Sequence, residues 1–450
     1  MGARREGVLR VAVSIFADDF IEKPWWWEAA EPAARAGELP DSAEAVIVGG
    51  GYAGLSAALT LRRLGITPVV IDAERIGWGA SSRNGGMVSG GLKVASGALE
   101  ATHGKEGARR LADAAAASFP FIEETIAREE IACDYIRCGR YVPAWTPKHY
   151  ANLQAKADFV ADVTGLPTRM VSRADQHTML GSDLYHGGMA AAATGSIHPG
   201  KYARGLAAAA AKAGAVLVDG VRVRQTLPDG DDFRVMTDRG EVRTRAVLVA
   251  TNGYSFDKAK GSAMPWLARR LVPLASYIIA TEELGEEVIE RLFPGRRMIS
   301  DTKRVLNYFR PSPDGKRVLW GGRASFRSQT ATDAAPVLRA AMVACFPELE
   351  KVRITHAWCG NVAFTFDTLP HIGAEGGVHY AAGCQGSGVA MATWLGHRVA
   401  LKMAGAANEP FALDGLNFPT RPFYQGDPSL VLPVIGEWYR LRDRLDRMAA

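Results

Sequence analysis

The strongest pattern of apolar positions is the β-branched run Val46-Ile47-Val48, which breaks into Gly49-Gly50-Gly51 and resumes as a helical repeat through Leu55, Leu59 and Leu61. A second β-branched strand is predicted over 67–71 and runs into Asp72. A third run, Ala246-Val247-Leu248-Val249-Ala250, is apolar without interruption, as strands buried on both faces of a parallel sheet are. Further strands are predicted over 131–143, 215–223, 242–251, 271–281, 304–310, 317–320 and 378–382, with Asp314-Gly315 as a hairpin turn. The period of apolar residues predicts helices over 104–130, 147–164, 201–213, 332–347 and 390–403. This mixture predicts an α/β (α+β) fold, a Rossmann-like domain interleaved with an antiparallel-sheet domain. The expected bounds are an arm at 1–40, a first domain from 41–103, 195–255 and 346–405, and a second from 104–194 and 256–345. A tail over 406–450 ends in a short helix near 438–447.

The break after the first strand has the chemistry of a dinucleotide-binding turn. Gly49 permits the tight turn, Gly51 lets the backbone approach a pyrophosphate, and Gly54 lets the helix pack on its strand, with Tyr52 and Ala53 between them. The helix then points unpaired N–H groups and a partial positive charge at the phosphates. Asp72, 18 residues beyond Gly54, stands where a carboxylate meets ribose hydroxyls, with Ala73 beside it. The stretch from Ile76 to Met87, which includes Gly79, Ala80, Ser82, Arg83, Asn84, Gly85 and Gly86, has neither helical nor strand period. Its small residues and free N–H donors suit a loop around an extended, permanently held cofactor, so a flavin fits better than a nicotinamide. A second glycine turn, Gly383-Cys384-Gln385-Gly386-Ser387-Gly388-Val389, again aims a helix N-terminus at something electron-rich.

Composition narrows the class. The chain has 450 residues, 53 basic and 48 acidic, and no run of five like charges, so a nucleic-acid partner is not indicated. The alanine-rich stretch 206–218 is interrupted by Lys212 and is too weakly apolar to span a bilayer. Arg4, Arg5 and Arg10 lie around an apolar stretch at 8–16, but Asp18 and Asp19 follow where small cleavage-site residues would stand, so a targeting segment is not expected. Five cysteines without a CxxC pair read as reduced thiols of a cytoplasmic protein. None of the nine histidines has metal-ligand spacing, and no metal is expected. Neither a GxSxG elbow nor a GxxxxGK[ST] loop occurs. Trp25-Trp26-Trp27 reads as an arm whose rings pack on the body, with a substrate contact as the alternative.

Gly49 to Gly54 with Asp72, the stretch from Gly79 to Met87, Leu248 to Tyr254, and Trp358 to Val389 together resemble the flavin oxidases of the D-amino-acid oxidase and glycine/sarcosine oxidase superfamily. The Trp-rich N-terminus, Gly79 to Gly86, and the ending Tyr439-Arg440-Leu441-Arg442-Asp443 are most similar to its γ-glutamylputrescine oxidoreductase branch. The resemblance implies an FAD-binding domain and a substrate domain whose sheet roofs the flavin. It implies Asp72 on the ribose, Val223 at the adenine, Thr251, Asn252 and Gly253 in the cofactor wall, and the 383–389 turn at the flavin ring. It further implies oxidation of a primary or secondary amine to an imine and aldehyde, with oxygen reduced to hydrogen peroxide. A dehydrogenase using another electron acceptor and a non-catalytic flavoprotein subunit are the alternatives.

Sarcosine oxidases carry a substrate-anchoring lysine after the last flavin turn; here Val389 and Ala390 follow, which favours an amine larger than a small amino acid. Cys359 is close to their covalent flavin cysteine but occupies the variable place of a Trp-x-Gly, so FAD is expected without a bond. Lys303 and Tyr308 are the candidate catalytic residues, Lys303 for oxygen activation and Tyr308, with Tyr254 and Trp320, for an aromatic wall. For Lys303 the alternative is a solvated loop lysine, and for the aromatics it is core packing.

Overall fold

The computed structural model describes residues 14–32, 37–93, 96–257, 261–324, 326, 329–429 and 432–448. The stretch around Arg4, Arg5 and Arg10 lies outside the described residues.

The apolar runs assemble a six-stranded sheet in the order Val216–Val218, Pro68–Ile71, Ala45–Val48, Val247–Val249, Val378–Ala382 and His371–Glu375. The first five strands are parallel and the last forms an antiparallel hairpin. Alternate residues explain why these runs are apolar throughout. Ile47, Val70, Leu248 and Ala381 enter the core beneath the helices Tyr52–Arg63, Pro199–Lys212 and Gly388–Met403. Val46, Val69, Val247 and Tyr380 enter the core on the opposite face. That face is covered by a small sheet of Val223–Asp229, Asp232–Thr237, Gly240–Thr244 and Ser42–Ala43. The strand expected over 215–223 is therefore two strands. Gly220, at φ 64°, turns the chain between the sheets, a conformation glycine adopts without steric cost.

A nine-stranded sheet makes the other half of the molecule. Its order is Phe16–Ile21, Ile354–Phe364, Val272–Thr281, Val318–Gly322, Asn307–Pro311, Met298–Ser300, Arg140–Pro143, Gly188–Ala191 and Thr168–Val171. It is mostly antiparallel, with parallel pairs between the first two strands and between Met298–Ser300 and Arg140–Pro143. Two placements differ from expectation, since residues of the N-terminal arm form its edge strand and Ile354–Phe364 belongs here rather than to the Rossmann-like half. Tyr277, Ile279, Phe309 and Trp320 face back into a core shared with Leu338 and Met342 of the helix Ala331–Cys345. Ile278, Ala280, Leu319 and Trp358 face forward, where Trp25 and Trp26 pack on them and Tyr308 lies against the cluster.

The helix predicted over 104–130 is two helices, Ser96–Ala116, interrupted by non-helical Gly104, and Ser118–Arg128. Leu111, Ala115, Phe119 and Ile122 join the helix-side core of the Rossmann-like half, so the pair covers that half rather than the second domain. The helix Pro147–Thr164 lies where predicted, with Thr146 accepting from the His149 N–H at 3.1 Å as its N-cap. No helix among the described residues is long and apolar enough to cross a membrane.

The last helix, Leu432–Met448, is longer than expected and docks through Asp443, which accepts from the Arg304 N–H at 3.1 Å and the Val305 N–H at 3.0 Å. Asp443→Ala leaves those donors unpaired. The expected cost is about 1–3 kcal/mol, read as a lower urea midpoint at unchanged slope.

Candidate cofactor cavity and active site

Gly49 has φ 106°, and a Cβ on Gly54 would overlap the Gly49 carbonyl oxygen, so the first turn admits only glycine at both positions. The turn delivers the N-terminus of the helix Tyr52–Arg63 to the C-terminal edge of the parallel strands. Asp72 sits beside it, its Oδ2 accepting from the Gly50 N–H at 2.7 Å and its Oδ1 from the Glu74 N–H at 2.9 Å. Burial pushes its carboxyl up to about 6 despite those two hydrogen bonds. Ser81 Oγ accepts from the Tyr52 N–H at 3.0 Å, at the place where the helix offers its first free donor. The sequence reading chose Ser82 and omitted Ser81. Ser82 faces the other way, accepting from Trp27 Nε1 at 3.0 Å.

The loop over 79–87 is held by three indoles on consecutive residues. Trp27 donates to the Ser82 hydroxyl, Trp358 to the Arg83 carbonyl at 2.8 Å and Trp26 to the Asn84 carbonyl at 2.9 Å. Asn84 closes the loop from within, donating to the Ala80 and Ser81 carbonyls and accepting from the Gly86 N–H at 2.8 Å. The Arg83 guanidinium lies over the Trp27 and Trp78 rings, at 4.6 and 4.2 Å from their centres, and donates to the Trp78 carbonyl. A Cβ on Gly85 would press on the Tyr308 ring, and Gly86, at φ 71°, lies over buried Arg310, which donates to the Ile197 carbonyl at 2.8 Å. Met87 then enters a two-stranded sheet with Thr194–Ser196.

A cavity of about 420 Å³ runs along this edge. Gly49, Gly51, Tyr52 and Ala53 line it at the first turn, Asp72, Ala73 and Val223 at one end, and Gly79 and Ala80 along the loop. Thr251, Asn252 and Gly253 line the next stretch, where Asn252 accepts from the Gly383 N–H at 3.0 Å and so ties the second glycine turn to the cavity. From that turn Cys384 lines the cavity, and Gly383, Gln385, Gly386, Ser387, Gly388 and Val389 do not. Ser82, Arg83, Asn84, Gly85, Gly86 and Met87 likewise do not line it, and Gly54 packs on the Gly49 carbonyl. Tyr254 and Asn361 line it too, joined by the Asn361 N–H donating to the Tyr254 hydroxyl at 3.2 Å. Asn361 comes from the nine-stranded sheet, a long-range pairing with no local sequence signal.

A model of the family described as FAD dependent oxidoreductase matches residues 44–401. The chain belongs to that family. It is 33% identical over 428 residues to a probable oxidoreductase, OrdL, of Rhizobium meliloti, covering 93% of this chain and 97% of that protein. It is 31% identical to γ-glutamylputrescine oxidoreductase of Escherichia coli, covering 89% of this chain and 92% of that one. Its fold is that of glycine oxidase from Geobacillus kaustophilus, with a TM-score of 0.67 at 20% identity over 86% of this chain and 99% of the other.

FAD is the family's cofactor, and the cavity's donor set fits it, with a buried carboxylate at one end and a glycine turn with a helix N-terminus in the middle. Cys359 packs against the back core beside Tyr277 and does not line the cavity. Lys303 is neither solvated nor at the cavity, for its ammonium pairs with buried Asp301 at 3.3 Å and lies over the Trp145 ring. Trp320 is core, stacked on Phe309 at 4.0 Å. Tyr308 faces forward, its hydroxyl 2.9 Å from Ser276 Oγ.

Gly54→Val separates helix from turn, and the purified protein is expected to be colourless, checked by absorbance near 450 nm. In the FAD-stripped protein Asp72 favours folding in its protonated form, because its folded value lies above the ordinary 3.8. That contribution is full below pH 4 and is lost as pH rises through about 6. Apoprotein Asp72→Asn is therefore expected to gain melting temperature relative to the parent between pH 4.5 and 7.

Proposed function

We propose that the protein oxidises the C–N bond of a primary or secondary amine to an imine, which water hydrolyses to an aldehyde, with oxygen reduced to hydrogen peroxide. The similarity to γ-glutamylputrescine oxidoreductase along nine-tenths of the chain carries this reading. An extended, γ-glutamylputrescine-like amine is favoured, in keeping with Val389 and Ala390 where a lysine would hold a small amino acid. The five free cysteines fit a reducing, cytoplasmic setting.

Bound FAD would accept the two electrons and the hydrogen of the carbon beside nitrogen. The chain's tasks are to bind the amine in its neutral form, orient that carbon and keep water away. Burial pushes the Tyr308 phenol up to about 12, so it stays neutral and serves as a hydrogen-bonding group rather than a base. Ser276 fixes its direction.

Anaerobic addition of an extended amine is expected to bleach the flavin, and air to restore it with release of peroxide. Recovery that needs a quinone would move the assignment to a dehydrogenase, and no bleaching by any amine would contradict it. Tyr308→Phe is expected to lower kcat/KM roughly tenfold while FAD content stays at the parental level, consistent with loss of one hydrogen bond of about 1 kcal/mol or slightly more.

A further inference from the structure

We infer that the outer face of the helix Leu432–Met448 is a dimerisation surface, and that its occupant is the same helix of a second copy of this chain, running antiparallel. Such a dimer requires nothing of the amine chemistry above.

The helix is amphipathic in the inverse sense. Its positions toward the body are 436, 440, 443 and 447, and what they offer is small or polar. Gly436 lets the helix lie against Phe326, since a Cβ there would stand 2.2 Å from the ring. Arg440 donates to the Ala324 carbonyl at 2.8 Å and Arg447 to the Trp145 carbonyl at 3.0 Å. Between them Asp443 accepts from the Arg304 and Val305 N–H groups. The outward positions are Val434, Trp438, Leu441, Leu445 and Met448, all between 46% and 84% exposed. A helix docked on a body ordinarily turns its apolar stripe inward. Here the stripe faces out, over a length of about 21 Å at the α-helical rise. A contiguous apolar patch of several hundred Å² marks an interaction site.

The intervals along the stripe, 4-3-4-3, are those of a two-helix coiled-coil seam, so a helix is the occupant it fits. The flanking residues choose which helix. Glu437 and Arg444 border the stripe on one side, Ile435 and Arg442 on the other. In an antiparallel pair related by a two-fold axis, Val434 packs on Leu445 of the second copy and Trp438 on its Leu441, each layer occurring twice. The same register sets Glu437 against Arg444 of the second copy, again twice. Isologous contacts demand such self-complementarity. Within its own chain Glu437 accepts from Arg440 at 2.6 Å, and among the described residues Arg444 makes no ion pair, so the cross-pair adds a partner without breaking one. On the other side Ile435 meets Arg442, whose guanidinium lies 5.7 Å from the centre of the Trp438 ring. An anionic membrane would also find Arg442 and Arg444 beside the stripe, but it would repel exposed Glu437, which the dimer neutralises. Stripe and flanks together bury about 1,000 Å², the lower end for a specific interface, so the dimer is expected to dissociate on dilution to low micromolar concentration.

Sedimentation of the FAD-loaded protein from about 1 to 100 μM is expected to show a monomer–dimer equilibrium. Leu441→Glu is expected to be monomeric throughout, with flavin absorbance near 450 nm and melting temperature at the parental level, which separates loss of contact from loss of fold. Glu437→Arg and Arg444→Glu each set like charges across both flanking contacts, and each alone is expected to weaken dimerisation at least tenfold. Mixed in equal amounts, the two variants are expected to pair as a heterodimer of near-parental strength, because both contacts are then attractive. A parent protein that stays monomeric at the highest concentration, a dimer that survives Leu441→Glu, or a mixture that pairs no better than its components would overturn the assignment. Monomer that instead co-sediments with phosphatidylglycerol vesicles, and ceases to do so in Leu441→Glu, would overturn it in favour of a membrane surface.

Discussion

The molecule depends on holding one irregular loop, residues 79–87, in a single conformation between two halves that would otherwise meet through it loosely. A loop of glycine, serine and asparagine has no core of its own, and its buried polar groups must find partners. Three indole N–H groups meet this need on Ser82, Arg83 and Asn84 in turn. Each bond contributes on the order of 1 kcal/mol, but leaving its partners buried and unpaired would cost more. Two indoles come from the N-terminal arm and one from a strand of the nine-stranded sheet, so arm, sheet and loop must be in place together.

This arrangement orders the rest. The loop backs the wall opposite the Tyr52–Arg63 helix N-terminus, contributes Ser81 to its first donor and presents Gly85 to the Tyr308 ring. The same loop thus lines the cavity through Gly79, Ala80 and Ser81 and touches the candidate catalytic tyrosine through Gly85.

What was legible in the sequence was short-range. Gly49, Gly51, Gly54 and Asp72 announce themselves because turn, phosphate approach and ribose acid lie within one βαβ unit, and 147–164 was readable from its cap and period. What was missed is long-range or directional. Nothing local tells that Phe16–Ile21 pairs with Ile354–Phe364, or that Asn361 reaches the Tyr254 hydroxyl. Ser81 and Ser82 are chemically identical, and only the turn decides which hydroxyl meets the helix. Lys303 pairs with buried Asp301 two residues away and Cys359 lies beside Tyr277, neighbours that no local pattern announces.

The protein's own hydrogen bonds, independently of FAD, shape the loop. Hydrogen exchange on the FAD-stripped protein, with and without added FAD, tests it most directly. Amides of 82–86 are expected to be protected already without FAD and to change little, while those of 49–54, 251–253 and 383–389 gain protection when FAD is added. Free exchange over 82–86 that is suppressed only by FAD would contradict it.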